Sequence, residues 1–306
     1  MSQTPGVRRL MGMNQATTTF STLRPRLHGI AYRMLGSVAE AEDLVQDIWL
    51  SWNAADQAAI GNSEAWLVAA TTRRAIDRLR AARVRREEYV GIWLPEPILT
   101  DEGTSPEDLH ELDSDVSVAF LLVLERLSPD ARAAFLLREV FDEDYPEIAR
   151  AIGKSQASCR QLVHRAKDQL RDARPRAGFP RDDHLDLMRR FAGALTAGDF
   201  PAIRSMLAPD ADLTGDGGGK VNSFPKPMLG AQRIAQVFYA AHLRYGDRVT
   251  VRLTRINGEW ALLRYIEGKL ESAQTYVTDG RTIQSIHVQR NPDKLERIVR
   301  GQQGFC

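Results

Sequence analysis

The chain has 306 residues, 26% of them charged and 43% apolar, with a formal net charge of +1 at pH 7, and this length predicts two or three domains. Two cysteines, Cys159 and Cys306, provide no disulfide framework, which fits a reducing cytoplasm. No apolar run approaches the roughly 18 residues of a membrane span, and Arg8–Arg9 lacks the apolar stretch of an export signal after it.

Two amphipathic helices are predicted near the start of the chain, after a loose polar leader over residues 1–18. In both, apolar residues recur at steps of three and four, and Gly36 separates the helices. They are Phe20, Leu23, Leu27, Ile30 and Met34 in the first helix, and Leu44, Val45, Ile48, Trp49 and Trp52 in the second. The other face of the second helix, Glu40–Asp47, is acidic. It is either a solvated surface or a docking face for a basic or polar partner helix.

A third predicted helix carries a dense run of arginines. Its apolar residues are Trp66, Ala69, Ala70, Ile76 and Leu79. From Thr71 to Arg86, seven arginines stand against one acid. The preceding segment, Ala54–Ser63, contains Gly61–Asn62 and is expected to be a loop that can line a pocket beside the arginines. Because arginine binds phosphates and stacks on bases, the helix is either a nucleic-acid contact or a solvated basic face.

The segment Glu87–Asp115 is predicted to be an extended acidic linker, because it has ten acids, three prolines and no Lys or Arg. Its negative charge disfavours contact with DNA. Within it, Trp93-Leu94-Pro95-Glu96-Pro97 places a bulky aromatic residue among prolines. The motif is interpreted as a docking peptide, and the alternative is a tryptophan packed against its own helices.

A helix over 116–127 leads into Ser128–Arg171, which is predicted to be a helix followed by a helix-turn-helix. Ser128 caps the first helix, Asp144 caps the second, Gly153 ends it and Ser155 caps the third. The third helix has one apolar stripe. The stripe comprises Cys159, Leu162, Val163, Ala166 and Leu170. The opposite, basic face either enters a DNA major groove or is the solvated side of a helical hairpin.

After a breaker-rich boundary at Arg174–Arg181, the sequence pattern becomes that of an α+β domain. Helices are predicted over His184–Ala197, Ala202–Leu207 and Ala231–Leu243. Apolar and polar residues then alternate, which predicts antiparallel strands joined by turns at Asn257–Gly258 and Asp279–Gly280. The strands are 249–253, Trp260–Ile266, Lys269–Thr278 and Thr282–Gln289. Such a sheet, wrapped by helices, can enclose a cavity.

Several motifs occur together between residues 20 and 172. They are Ala39-Glu40-Ala41-Glu42-Asp43-Leu44-Val45-Gln46-Asp47 followed by Trp49, then Ala65-Trp66-Leu67, Asp77-Arg78-Leu79-Arg80, Leu127-Ser128-Pro129 and Glu147-Ile148-Ala149. In this order and at these distances they resemble the extracytoplasmic-function (ECF) class of bacterial sigma factors. The resemblance implies an all-α sigma region 2 over 19–86 and an all-α, helix-turn-helix sigma region 4 over 116–173, joined by the linker 87–115. Arg73 stands where many members of the class have Asn, so no base preference at the −10 element is carried over.

The resemblance implies an alternative sigma factor that binds core RNA polymerase and recognises the −10 and −35 promoter elements. Contact with the β′ clamp helices of the polymerase falls on Asp43, Gln46 and Asp47, and the β subunit is a further expected partner. The resemblance implies that the −10 DNA is bound by the loop Ala54–Ser63 and by Arg73, Arg74, Arg78 and Arg80. The −35 DNA falls on Ser155, Gln156, Ser158, Arg160, Gln161 and Arg165. The acidic linker is expected to thread the basic interior channel of the polymerase.

Three further motifs resemble the signatures of the ECF41 group, in which a SnoaL-like domain of the NTF2-like fold follows region 4. They are Trp93-Leu94-Pro95-Glu96-Pro97, Asp216-Gly217-Gly218-Gly219-Lys220 and Asn291-Pro292-Asp293-Lys294-Leu295. The resemblance implies that residues 182–306 form an α+β NTF2-like cone domain. This domain would modulate sigma activity from within the chain, through contacts at these motifs, in place of a separate anti-sigma factor. The alternative for Asp216–Lys220 is a flexible turn.

Two functions of other classes remain as alternatives. In the first, residues 182–306 are an enzyme or a ligand sensor, with Asp212 and His287 as candidate acid/base residues whose spacing does not show whether they face each other. In the second, the helix-turn-helix regulates transcription without polymerase. The acidic face Glu40–Asp47 and the helix Trp66–Arg80 argue against the second, because a repressor needs neither. The family resemblance implies no catalytic residue, no cofactor, no metal and no membrane contact.

Overall fold

A computed structural model describes residues 5–100, 117–171 and 181–303 of the chain. The chain divides into two compact units, the first made of Met1–Val84 with Leu124–Asp172 and the second of Arg85–Val123 with Ala173–Cys306. The rest of the acidic linker, the breaker-rich boundary before residue 181 and Cys306 lie outside the described residues. None of the helices within the described ranges is long and apolar enough to cross a membrane.

The first unit is helical throughout its described residues. Its helices are α1 (Pro5–Leu35), α2 (Val38–Ala54), α3 (Ser63–Glu87), α5 (Pro129–Glu139), α6 (Tyr145–Ile152) and α7 (Gln156–Arg171). Helix α4 (Val118–Leu124) belongs to the second unit except for Leu124. The predicted apolar stripes form the core, in which Leu27, Leu44, Trp52 and Phe135 are buried. Burial of these stripes, rather than intrinsic helix propensity, supplies most of the stability of such helices.

The beginning of the chain departs from the sequence-based expectation. The loose leader predicted over residues 1–18 is wrong for the described residues, because α1 begins at Pro5. Ala16 is buried, and its carbonyl accepts a hydrogen bond from Trp52 Nε1 at 3.1 Å. Polar threonines hide the helical pattern in this stretch, and a contact with a residue far along the chain stabilises it.

Local capping sets the bounds of the predicted helix-turn-helix. Ser128 Oγ accepts from Ala131 N at 3.3 Å, and Asp144 Oδ1 accepts from Glu147 N at 2.9 Å. Gly153 has φ 73°, the left-handed conformation that ends α6. Because these interactions lie within a few residues of one another, the three helix boundaries could be predicted from the sequence.

The second unit packs helices against a mixed sheet. The helices are α8 (Arg181–Ala197), α9 (Phe200–Ser205), α10 (Ala231–Tyr245) and α11 (Pro292–Gln303). The strands are β1 (Leu207–Asp216), β2 (Met228–Leu229), β3 (Val249–Ile256), β4 (Glu259–Ile266), β5 (Lys269–Thr278) and β6 (Ile283–Gln289), in the order β2-β1-β6-β5-β4-β3. The predicted antiparallel meander is confirmed. Strand β1, which pairs parallel with β6, and helix α11 were not predicted.

Both faces of this sheet are covered. One face packs on α8 and α10 through Phe191, Phe238 and Tyr276. The other face packs on α4 and α11. The residues of this second cluster are Val118, Ile256, Ala261, Leu263, Ala273, Leu295 and Ile298. The linker also adds to the edge of β3, because Thr100 N donates to Arg255 O at 3.0 Å.

Candidate functional site

The residues predicted to read the −35 element share one exposed surface on and just before α7. They are Ser155, Gln156, Ser158, Arg160, Gln161 and Arg165, all exposed. The opposite side of α7 is buried at Cys159, Val163, Ala166 and Leu170. Ser158 N donates to Ser155 Oγ at 3.2 Å, so Ser155 also caps the helix. The surface can therefore enter a groove without unpacking the core.

Tyr145 at the start of α6 positions one of these residues. The guanidinium carbon of Arg160 lies 4.9 Å from the centroid of the Tyr145 ring, and that of Arg138 lies 5.4 Å from it. Such cation–π contacts favour one side-chain position over many. Sequence reasoning missed Tyr145, although an aromatic residue directly after a helix cap was the available signal.

We expect Tyr145→Ala to weaken binding of duplex −35 DNA about three-fold, because Arg160 loses the ring that orders it. Tyr145→Phe keeps the ring and is expected to bind as the unmodified protein does. Fluorescence anisotropy at one fixed salt concentration measures both. Equal losses in the two variants would show that the hydroxyl, and not the ring, is responsible.

The residues predicted to contact polymerase and the −10 element partly pair with each other. Arg78 Nη2 of α3 lies 2.6 Å from Asp47 Oδ2 of α2, and Arg78 Nη1 donates to Glu40 O at 2.8 Å. This pair holds α3 against α2. Arg73, Arg74 and Arg80 are exposed on α3, and Asp43 and Gln46 are exposed on α2. The side chains of Arg83, Arg85 and Arg86 lie outside the described residues.

A groove of about 480 Å³ lies between α1 and α2 beside Gln46. Its lining comprises Thr17, Phe20, Ser21, Arg24, Glu42, Val45, Gln46 and Trp49. The rings of Phe20 and Trp49 lie 5.0 Å apart and form part of its wall. Nearby on α2, Leu50 is 60% exposed. The acidic face predicted on α2 therefore adjoins a recess, with polar and aromatic walls, that can receive a partner side chain.

Arginines also join the helix-turn-helix to α1 and α3 within the first unit. Arg80 Nη2 lies 2.8 Å from Asp130 Oδ1, and Arg73 Nη1 donates to Arg150 O at 3.3 Å. In this conformation, two arginines predicted to bind the −10 element are thus engaged by the helix-turn-helix segment.

Arg132 of α5 is the most deeply buried of these arginines, at 1% exposure. It donates to Leu124 O at 3.0 Å and to Met34 O at 2.7 Å, and it pairs with Glu125 at 2.8 Å. Met34 lies at the end of α1, so Arg132 connects α5 to α1 through a charged side chain that is removed from water. Its removal would take a charged donor from the carbonyl of the buried Met34.

The three predicted contact motifs of the second unit meet at the carboxylate of Asp216, at the end of β1. Asp216 is 0% exposed and accepts five hydrogen bonds. The donors are Tyr89 Oη at 2.7 Å, Gly218 N at 2.9 Å, Leu94 N at 2.9 Å, Gln289 Nε2 at 3.3 Å and Lys294 Nζ at 2.7 Å. We call Asp216 and these donors the linker anchor. Tyr89 and Gln289 lie outside the motifs and were not predicted.

Lys294 neutralises the buried carboxylate of Asp216 and also binds the linker. Its Nζ donates to Leu94 O at 2.6 Å and lies 4.4 Å from the centroid of the Trp93 ring. Burial, together with the hydrogen bond to Asp216, raises the pKa of the Tyr89 phenol, which therefore remains a protonated donor. Trp93 is thus packed as part of a charged and aromatic cluster.

The glycine-rich motif forms a defined turn beside the linker anchor. Gly218 has φ 61°, and a Cβ atom on it would lie 2.3 Å from Asn291 Nδ2. Asn291 Nδ2 in turn donates to Tyr89 Oη at 3.0 Å. Glycine is needed at this position both for its conformation and for the close approach of Asn291. Lys220 and Asp293 form an exposed ion pair at 2.7 Å.

The remaining residues of the motifs flank the linker anchor. Leu94, Pro95, Glu96 and Pro97 are buried. Glu96 pairs with Arg297 of α11 at 3.2 Å. Leu295 packs in the core beneath α11. The motifs that lie far apart in the sequence therefore form one continuous contact between the linker and the sheet.

Asp212 and His287, the candidate acid/base residues, lie on one face of the sheet in neighbouring register positions. Asp212 Oδ1 accepts a hydrogen bond from Ser285 Oγ at 2.5 Å. Burial lowers the pKa of His287 to about 4, against the opposing effect of the Asp212 charge. A buried imidazole with so low a pKa is a weak general base at neutral pH.

The stability of the second unit is expected to fall as the pH drops from about 6.5 to about 4. His287 is neutral in the folded state until about pH 4, whereas in the unfolded chain it gains its proton near pH 6.5. The neutral form therefore favours folding above pH 6.5, and about 3 kcal/mol is lost on descending through this window. Urea unfolding of the native chain and of His287→Gln at several pH values measures the difference. Identical pH profiles would contradict this assignment.

Two family models match the helical parts of the chain, Sigma-70 region 2 over residues 19–85 and Sigma-70, region 4 over residues 117–170. The ECF RNA polymerase sigma factor SigJ of Mycobacterium tuberculosis is 38% identical over 245 residues, which cover 78% of each chain. The chain belongs to the ECF RNA polymerase sigma factors. The crystal structure of M. tuberculosis SigJ matches this sigma factor with a TM-score of 0.74 and 32% identity, covering 92% of this chain and 98% of that one. Probable sigma factor SigI of M. tuberculosis is 28% identical, over 90% of this chain and 93% of its own.

These findings establish an alternative sigma factor for transcription initiation, whose partners are core RNA polymerase and promoter DNA. The predicted fold class is confirmed in its outline: helical sigma regions 2 and 4 are followed by an α+β domain. Both relatives bear the names of ECF sigma factors, SigI as a probable one.

Proposed function

We propose that this sigma factor divides promoter and polymerase contacts among three helices. Asp43 and Gln46 on α2 meet the β′ clamp helices of the polymerase, and the adjacent groove receives a side chain of that partner. Asp47 contributes to the same surface while it holds Arg78. The β subunit is a further contact of the bound sigma factor, and the acidic linker follows the basic interior channel.

On the DNA side, Arg73, Arg74, Arg78 and Arg80 take the non-template strand of the −10 element beside the loop Ala54–Ser63. The exposed surface of α7 binds the −35 duplex. The observation that carries this proposal is the division of α7 into a buried apolar stripe and an exposed face with two arginines among Ser and Gln. Arginine reads guanine edges and binds phosphates, and Ser and Gln add adaptable hydrogen bonds.

Run-off transcription with bacterial core polymerase tests the proposal. Arg165→Ala is expected to reduce the promoter-specific transcript by about ten-fold or more, in line with the loss of one good base or phosphate contact. Arg171→Ala is the matched control, because Arg171 is an exposed arginine of the same helix outside the proposed surface. Failure of the full chain to start transcription with core polymerase, or equal effects of both substitutions, would refute the assignment.

The second unit is proposed to regulate the sigma factor in cis, in place of a separate anti-sigma factor. The linker anchor supports this role, because it fixes the linker to the NTF2-like domain through a buried carboxylate and a buried ammonium group. A linker held in this way is not free to follow the polymerase channel. Release of the linker is then a step that an activating signal can control.

The NTF2-like domain is proposed to act without catalysis. The observation that favours this is the low pKa and burial of His287, the candidate base. Incubation of the full chain with small hydrophobic esters and epoxides, followed by product analysis, tests it. Turnover that His287→Gln abolishes would overturn the proposal.

A further inference from the structure

A row of polar side chains crosses the sheet of the second unit on the face that carries Ala261 and Ala273. Thr214 of β1 lies opposite His287 of β6 in the parallel register. His287 lies opposite Thr275 of β5 in the antiparallel register. Directly opposed side chains on one face have Cβ atoms about 5 Å apart, so the three form one contiguous group. We call this group the polar row.

The polar row contains three buried atoms that lack hydrogen-bond partners among the residues described by the structure. They are Thr214 Oγ1, His287 Nδ1 and Thr275 Oγ1. His287 is 9% exposed and Thr275 is 5% exposed. Buried polar groups in native proteins are nearly always paired with protein, water or ligand. Three unpaired atoms side by side therefore indicate a binding site rather than three unrelated unsatisfied groups. We call the molecule bound there, whether a small molecule or water, the guest.

The chemistry of the polar row selects a neutral guest. Burial keeps the His287 imidazole neutral at physiological pH. The two threonine hydroxyls can each donate and accept, and the imidazole offers one donor and one acceptor. Asp212 disfavours an anion nearby, and Ser285 already occupies one of its oxygens. A cation would find no carboxylate within the row itself.

We propose that the polar row binds a small neutral molecule that carries hydroxyl or carbonyl oxygens. Ala261 of β4 lies opposite Thr275, so the row ends on a small apolar side chain. Two residues further along the same strands lie Asp216 on β1 and Gln289 on β6, both part of the linker anchor. A guest at the polar row thus touches the two strands that hold the linker. Only this coupling rests on the proposed cis regulation, and guest binding stands apart from it.

Replacing Thr275 by valine in the full chain tests whether the row is occupied. Valine preserves the shape and removes the hydroxyl. If the hydroxyl binds a guest, the Tm of the second unit is expected to fall by about 3 °C. If the hydroxyl is unpaired, its removal relieves an unfavourable burial and the Tm rises, which would overturn the proposal. Thr278→Val is the matched control, because Thr278 Oγ1 is already bonded to Thr282 O at 2.8 Å and its loss lowers Tm in either case.

Titration with 1,2-propanediol distinguishes a small-molecule site from one that holds only ordered water. The imidazole nitrogen resonances of His287 are expected to shift saturably in the native chain and not in Thr275→Val. The exposed His164 serves as an internal control for solvent effects, with a side chain 79% exposed. A destabilised Thr275→Val without any saturable shift would identify water as the sole occupant and overturn the small-molecule proposal. Neither the Tm nor the imidazole resonances depend on transcription. Failure of the small-molecule proposal is therefore distinguishable from failure of the proposed cis regulation.

Discussion

Asp216→Asn is expected to release the linker from the second unit and to lower that unit's free energy of unfolding by about 3 kcal/mol. The substitution keeps the side-chain shape and removes the charge. Lys294, whose side chain is 12% exposed, would then lose the negative charge that lies 2.7 Å from its buried ammonium group. Urea unfolding measures the free energy, and hydrogen exchange at the Leu94 amide reports release of the linker.

Asp293→Asn is the matched control, because it also breaks a lysine–aspartate pair at the start of α11. The side chains of Lys220 and Asp293 are 55% and 64% exposed, so water screens their attraction. Exposed pairs of this kind contribute about 1 kcal/mol or less. Equal destabilisation by the two substitutions would show that burial of Asp216 does not determine its contribution.

Asp216→Asn also tests cis regulation, when its run-off transcription is compared with that of the native chain. If the linker anchor restrains the sigma factor, the yield or salt range of transcription changes when the linker is released. A released linker with unaltered transcription would refute the regulatory role of the linker anchor and leave the sigma activity itself untouched.

Arg132→Met is expected to lower the free energy of unfolding of the first unit by about 3 kcal/mol, because it removes a buried guanidinium that donates to two carbonyls and pairs with Glu125. Methionine keeps the length and apolar character of the stem. It leaves Met34 O without its 2.7 Å donor and Glu125 without its 2.8 Å partner. Hydrogen exchange in the last turn of α1 and in α5 is expected to accelerate together.

Arg80→Met is the control for stability, because Arg80 also joins α3 to the helix-turn-helix, through Asp130, but its side chain is 57% exposed. Arg80→Met is expected to lower the free energy of unfolding by about 1 kcal/mol or less.

We also expect Arg132→Met to tighten binding of single-stranded −10 DNA, since Arg73 and Arg80 would no longer be engaged by the helix-turn-helix segment. Unchanged affinity together with lost stability would show that this packing does not restrict access to the arginines.

The helix-turn-helix and the β3–β6 meander were predictable because their determinants are local. Asp144 caps α6 from three residues away, and Gly153 ends it through its own backbone conformation. The turn Asn257–Gly258 has φ 53° and 78°, a conformation that this dipeptide favours. The relevant hydrogen bonds form between residues close in sequence, so short patterns contain the information.

Strand β1 and helix α11 were not predicted, because their determinants are not local in the sequence. Strand β1 is covered on both faces of the sheet and pairs with β6, in a register that joins Leu207 to Ile283. A strand covered on both faces shows no alternation, and its partner lies far along the chain. The polar threonines before Phe20 likewise gave no sign that α1 extends back to Pro5.

The sequence by itself determined which residues are proposed to carry the chemistry of this sigma factor: the exposed face of α7, the arginines of α3 and the three motifs that meet at the linker anchor. Only the tertiary structure decided how they pair. Asp216 meets Leu94 across 122 positions and Lys294 across 78, and Arg78 turns to Asp47 across 31. The physical reason is burial, because a charge removed from water must find a partner, and which charges are buried together depends on the packing of the whole unit.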